Sequence, residues 1–175
     1  KRQDYLFPSF DTIAGAGSNG AIVHYRANKK TAKKIKQSDI LLVDSGGQYH
    51  YGTTDVTRTI SFSKQNKFIK NAYTMVLKGH IAVALSDLSK DNTGRKIDIR
   101  ARKFLKKEGL DYAHGTGHGV GFFLNVHEGP QSISKHNSIK IKNGMILSNE
   151  PGFYKKNHFG IRIENLIYAL SLIHI

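Results

Sequence analysis

The stretch Leu42–Ile60, LVDSGGQYHYGTTDVTRTI, limits the available folds more than any other part of this chain. Asp44 and Asp55 each close an apolar or β-branched run, with a turn rich in Gly and Tyr between them. Leu41, Leu42 and Val43 read as a buried strand, Gly46 and Gly47 break it, and Val56, Thr57 and Thr59 suit a return strand. Such a hairpin brings two carboxylates onto neighbouring strands facing one way. A carboxylate at the end of a buried strand is costly without a partner. On this stretch alone, two turn-capping aspartates explain the pattern equally well.

The 175 residues suffice for one domain with a sizeable core, and 39% hydrophobic with 23% charged residues is an ordinary globular composition. No apolar run approaches the roughly 18 residues of a membrane span. The chain has no cysteine, which excludes disulfides and thiolate metal sites. Any metal must therefore be held by oxygen and imidazole. The net charge of +14 raises nucleic acid as a partner, but the lysines are dispersed in sequence. A solvated basic surface is the better reading than a polyanion site.

Residues 1–20 read as loop, and Ala21–Tyr25 as a strand carrying His24. The lysine-rich run 28–39 reads as a surface connection, and 40–62 as the hairpin. From Lys64 to about Ser86, Phe68, Ala72, Tyr73, Val76, Leu77 and Ile81 recur at helical spacing. Asp91-Asn92-Thr93 offers N-caps for a second helix to about Glu108. There Ile97, Ala101, Phe104 and Leu105 form the buried stripe, Arg100, Arg102, Lys103, Lys106 and Lys107 face mostly solvent, and Gly109 ends the helix. His114–Gly121, HGTGHGVG, has to be a tight loop or irregular strand. It is no dinucleotide fingerprint, because Phe122–His127 reads as extended where a helix would be needed. Lys142–Met145 reads as a hairpin turn between Ile139–Ile141 and Met145–Ser148. A last hairpin joins Phe153-Tyr154 to a long strand, Phe159–Tyr168. Strands, two helices, then strands again make an α+β domain with largely antiparallel pairing.

Five residues stand at strand edges or in glycine-rich turns and are hard or borderline ligands: Asp44, Asp55, His118, Glu150 and Glu164. Glu164 lies inside the apolar run Ile161–Ile167, where an unpaired carboxylate is expensive. Each has a bland account as a capped turn or a surface-facing strand position. Gathered in one site, four acids would repel one another, and two divalent cations would cancel their charge. An oxygen-rich shell of this kind suits Mn²⁺ or Co²⁺, and Zn²⁺ less well.

DSGGQYHYGTTDVTRT, HGTGHGVGFFLNVHEGP, SNEPGFY and FGIRIEN follow one another in this order. They resemble the signature blocks of aminopeptidase P, the Xaa-Pro aminopeptidases of the pita-bread metallopeptidase family, and most closely the eukaryotic-type cytosolic form and its bacterial relatives. FDTIAGAGSNGAIVHY also resembles the segment before that family's first aspartate, so the likeness spans roughly residues 8 to 168. The resemblance implies the pita-bread (creatinase/aminopeptidase) fold, a curved, mostly antiparallel sheet with helices on its outer face. It implies a dinuclear site in which Asp44 holds one metal, His118 and Glu150 the other, and Asp55 and Glu164 bridge both. A metal-bridging water would attack the N-terminal Xaa-Pro bond, with Glu150 moving its proton. His127 would hydrogen-bond the substrate or its oxyanion, and His24 and His114 would line the proline pocket. Arg162 would pair with Asp44 and Tyr154, fixing ligand geometry. The partners implied are peptides with proline second and, in the full-length protein, a homodimer, with no membrane and a cytoplasmic setting. The alternatives are a prolidase-type Xaa-Pro dipeptidase and a non-catalytic pita-bread module binding nucleic acid or histones.

Against that family the chain reads as residues 1–168 of a catalytic domain, truncated at both ends and without a starting Met. The tail LSLIHI can be encoded by the end of a common sequencing transposon, so residues 169–175 are expected to be non-native.

Overall fold

The computed structural model describes residues 3–170, and the remainder of the tail reading, 171–175, lies outside them. The elements run β1 (Tyr5–Pro8), β2 (Ile13–Ala16), a 3-10 helix (Gly17–Ala21), β3 (Ile40–Ser45), β4 (Gly47–Tyr49), β5 (Gly52–Thr53) and β6 (Val56–Ser61). Two helices follow, α1 (Lys67–Ala84) and α2 (Gly94–Lys106). The chain then returns to strands: β7 (Gly117–His118), β8 (Ser132–Ile133), β9 (Ile146–Asn149), β10 (Gly152–Lys155), β11 (Phe159–Arg162) and β12 (Asn165–Tyr168). All paired strands among the described residues are antiparallel, as expected of an α+β domain.

The β3–β6 hairpin forms in the expected place, with Asp44 opposite Thr57, while β4 and β5 pair within its connection and with β1. Burial along β3 alternates, so Ile40, Leu42 and Asp44 share the inward face. The helices are capped by side chains: Asn66 accepts from the Ile69 N–H and Thr93 from the Lys96 N–H. They pack closely because a Cβ at Gly79 would come within 2.5 Å of the Ala101 carbonyl oxygen. Ala72 and Val76 of α1 join Leu105, Phe153, Phe159, Ile161 and Ile163 in one core cluster. A second cluster contains Val83, Ile97, Ala101, Ile133, Leu147 and Ala169, so the tail reading begins at a packed residue.

Several local expectations are corrected. Residues 1–20 hold β1, β2 and the 3-10 helix; the short apolar runs at Tyr5–Pro8 and Ile13–Ala16 find ladder partners in β4 and β3. Ala21–Tyr25 is no strand. The Ile22 N–H bonds back to Asn19 and the Tyr25 N–H to Ile22, which curls the segment into turns. Phe122–His127 is likewise not extended, since the Gly121 N–H bonds the Asn125 carbonyl and closes a turn. Ile139–Ile141 contributes only a bridge from Lys140 to Thr93, and β9 pairs with β12 instead. Arg102 is buried, not solvent-facing. The long strand Phe159–Tyr168 is interrupted at Ile163-Glu164. There β11 leaves β10 and the chain continues as β12 against β9, while the partner strand makes the same switch at Glu150-Pro151. Both glutamates of the five-residue set lie at this paired crossing.

Candidate metal centre

Strand alternation aims the first acids. Asp44 closes the inward face of β3, and Asp55 stands two residues before Thr57, which puts both on the Thr57 side. Glu150 and Glu164 arrive at the crossing where two strands change sheets together. His118 comes from β7, which runs so close to β9 that a Cβ on Gly117 would sit 1.9 Å from the Ser148 carbonyl oxygen. Gly117→Ala is therefore expected to cost about 1–3 kcal/mol of stability by overpacking and to displace His118. Urea unfolding midpoints check this; an unchanged midpoint would refute the close approach.

All five residues line one cavity of about 440 Å³. Asp55, His118 and Glu164 each present a ligand atom within 4.8 Å of the others'. His118 Nε2 lies 3.4 Å from Asp55 Oδ2 and 3.3 Å from Glu150 Oε1. Its Nδ1 donates to the Gly119 carbonyl at 2.8 Å, so the neutral ring keeps the Nε2 lone pair towards the carboxylates. Asp44 Oδ2 accepts from Arg162 Nη2 at 2.7 Å, Glu164 Oε2 from Thr57 Oγ1 at 2.6 Å, and Glu150 Oε1 from Ser148 Oγ at 2.9 Å.

The second oxygens decide whether this shell suits a cation. Asp44 Oδ1, Asp55 Oδ1 and Glu164 Oε1 are buried and have no hydrogen-bond partner. Three orphaned carboxylate oxygens around one cavity fit divalent-cation ligation and little else. The same groups carry the charge cost of this shell. Burial pushes Glu164 up to about 10, with Glu150, Asp55 and Asp44 adding repulsion, and lifts Glu150 to about 7. Burial also raises Asp44, against the opposing pull of Arg162. Burial alone would lower His118, but the Asp55 and Glu150 carboxylates outweigh it and the net shift is upward.

The other residues singled out in the sequence lie around the same cavity. Arg162 is buried and donates from Nη1 to the Tyr154 hydroxyl at 2.8 Å and from Nη2 to Asp44. Tyr154 in turn donates to His114 Nε2 at 2.8 Å, and His114 Nδ1 donates to the Gly115 carbonyl at 2.7 Å. Burial holds the His114 imidazole down at about 4, so it is neutral. His127 meets the His118 ring edge-on at 4.1 Å between centroids, and His24 is exposed on the cavity wall. Phe10, Val23 and Val126 make the wall partly apolar, and an exposed Asp11–Arg26 ion pair at 3.1 Å also lines it.

Sequence reading missed two contributors. Thr57, fully buried, donates to Glu164 and accepts from Arg162 Nε at 3.1 Å. Ser148 holds both the His118 N–H and Glu150. Only Thr57 carried a usable signal, its period-two spacing from Asp55. Thr57→Val, which keeps the shape and removes the hydroxyl, is expected to cost about 1–3 kcal/mol and to weaken metal binding about 10–100-fold. Calorimetric titration with Mn²⁺ measures the second effect.

Residues 1–170 match metallopeptidase family M24. The chain is 52% identical over 162 residues to "Probable Xaa-Pro aminopeptidase P" of Arthroderma otae, covering 91% of this chain and 26% of that protein. It is 51% identical over 167 residues to aminopeptidase P2 of Arabidopsis thaliana, covering 94% and 24%. The chain thus spans about a quarter of the length of these relatives. Among solved structures it resembles X-prolyl aminopeptidase from Caenorhabditis elegans, described as a cytosolic enzyme with a di-nuclear active site. That match has a TM-score of 0.89 at 39% identity, over 99% of this chain and 29% of the other. Prolidase from Pyrococcus furiosus matches with a TM-score of 0.84 at 32% identity, over 94% and 47%.

Proposed function

Because the chain belongs to metallopeptidase family M24, with its pita-bread fold, we propose that it forms the catalytic region of a dinuclear-metal Xaa-Pro aminopeptidase. The observation that carries this reading is the trio of buried, partnerless carboxylate oxygens on Asp44, Asp55 and Glu164 around one cavity with His118 and Glu150. A non-catalytic module has no use for so costly a shell. Asp44 would hold one cation, His118 and Glu150 the other, with Asp55 and Glu164 shared, and Mn²⁺ is the proposed metal. Two such cations, when bound, polarise a carbonyl and lower the pKa of water from about 15.7 towards 7.

The chain's own residues account for the rest of the chemistry. Water adds to the scissile carbonyl carbon, and Glu150 takes the proton released. Its carboxylate lines the cavity 3.3 Å from His118 Nε2, at the edge where a released proton can be taken up and returned. The same proton then passes to the proline nitrogen as the C–N bond breaks. His127, exposed beside His118, is placed to hydrogen-bond the developing oxyanion, a contact worth about 3 kcal/mol where measured. His24 and His114, with Val23 and Phe10, offer a pocket for the proline ring. Arg162 holds Asp44 and, through Tyr154, His114 in place. The proposed setting is cytosolic, as described for the C. elegans protein.

The test pairs Xaa-Pro-Xaa and Xaa-Ala-Xaa peptides with manganese-loaded protein while bound metal is counted. Release of the first residue only before proline, at two metals per chain, supports the reading. Cleavage confined to Xaa-Pro dipeptides would make it a prolidase, and a metal-free, inert protein would reject both.

A further inference from the structure

Arg102 occupies a place in α2 that metal ligation does not explain. Its side chain is buried, and its guanidinium donates to Asp98 at 2.8 Å, to Asp111 and the Tyr112 carbonyl at 2.7 Å each, and to the His114 carbonyl at 2.7 Å. It also lies 3.9 Å from the centre of the Tyr112 ring. Residues 111–116 form no helix or strand, yet they carry His114 and lead directly into β7 and His118. A segment without a ladder needs another source of rigidity, and a planar fork with several directed donors supplies it.

Two hydrogen-bonded routes run from this point to the metal centre. In the first, Arg102 holds the His114 carbonyl, His114 Nε2 accepts from Tyr154, Tyr154 accepts from Arg162, and Arg162 donates to Asp44. In the second, Asp98 binds Arg102 and accepts from Thr116 Oγ1 at 2.6 Å, and the Thr116 carbonyl accepts the Glu150 N–H at 2.8 Å. Asp44 and Glu150, two of the cavity's acids, are therefore tied to the same buried guanidinium.

We propose that Arg102 is a positioning residue of this site: its fork fixes the 111–116 segment, and through it the His114 imidazole and the backbone entering Glu150. The proposal rests on the metallopeptidase reading for its kinetic consequence but not for its structural one. Lysine cannot replace the fork, because a single ammonium cannot reach Asp98 and both carbonyls in the same plane.

The experiment compares the wild-type chain with Arg102→Lys, Asp111→Ala and, as a control on an exposed neighbour, Lys103→Met. Side-chain ¹⁵N spectra of the metal-free chain at neutral pH, with His114 assigned by His114→Gln, report its tautomer. The wild type is expected to show His114 as the Nδ1–H form. Arg102→Lys is expected to average the two tautomers, and to lower kcat/KM of the manganese-loaded enzyme on Xaa-Pro peptides about 10–100-fold. Asp111→Ala removes one anchor at a half-exposed carboxylate, so it should move both readouts in the same direction by less, and Lys103→Met should move neither. A folded Arg102→Lys protein with the wild-type tautomer and kcat/KM within about twofold overturns the proposal, being far below that range. If Arg102→Lys fails to fold, the same two readouts on Asp111→Ala decide. A wild type inert on every peptide would defeat the aminopeptidase reading and leave the spectroscopic arm standing.

Discussion

Replacing Asp55 by alanine is expected to remove both cations together and to abolish peptidase activity. Asp55 is nearly fully buried, has one oxygen without a partner, and shares a 4.8 Å cluster with His118 and Glu164. A ligand proposed to be shared between two cations cannot be lost for one alone. Metal-derived stabilisation of several kcal/mol corresponds to roughly a thousandfold or more in rate, at about 1.4 kcal/mol per tenfold. Metal counting by mass spectrometry of the native protein reads the stoichiometry directly. A variant that retains one tightly bound metal per chain would remove Asp55 from the shared position. Asp44→Ala is the informative contrast, because its proposed role touches one cation only.

The second large effect concerns pH and metal removal. Glu150 and Glu164 are shifted up from 4.5, to about 7 and about 10. A carboxyl whose folded pKa exceeds its unfolded value binds its proton more tightly when folded. The stability it contributes is complete below about 4.5 and is lost as pH rises through about 7 for Glu150 and about 10 for Glu164. Chelator-treated protein should therefore lose stability steadily between pH 5.5 and pH 8.5, a window inside the range over which these two carboxyls titrate. Glu164→Gln isolates it from the general effect of a +14 chain. In the metal-free state the variant should melt higher than wild type at pH 8.5 and close to it at pH 5.5, since Gln is neutral in both folded and unfolded chains and has no proton to take up on folding. Parallel melting curves for the two proteins across this range would refute the assignment. Loading with Mn²⁺ should invert the trend, because the cations displace the protons and bind more tightly as pH rises. At free metal a thousand times its Kd, each site adds about 4 kcal/mol.

The parts of this site legible beforehand are those governed by short-range rules. The β3–β6 hairpin was readable because period-two burial and a glycine break leave few alternatives for LVDSGG and TTDVTRT. Both helices were readable because Val76 and Leu105 belong to stripes at helical spacing, and Thr93 offers a cap for the second; the Asn66 cap of the first emerges only in the structure. His24 was placed on a strand because Ile22, Val23 and Tyr25 favour one, and the segment curls instead because Asn19 takes the Ile22 N–H. Arg102 was assigned to solvent by its charge. It sits on the buried face with Asp98, Ala101 and Leu105, a position that becomes affordable only when Asp98, Asp111 and two carbonyls meet it.

Sequence alone determined which residues could serve as ligands, since a cysteine-free chain with acids inside apolar runs has few ways to satisfy them. It also determined the local elements that carry Asp44, Asp55 and His118. Tertiary structure alone decided that β9–β10 and β11–β12 switch sheets together, which brings Glu150 and Glu164 to one point. It likewise decided which oxygens are tied by Thr57, Ser148 and Arg162 and which are left without a partner. The physical reason is that ligand identity is a property of single residues. An unsatisfied lone pair, by contrast, is a property of everything packed around it, here residues as far apart in the chain as Asp44 and Glu164.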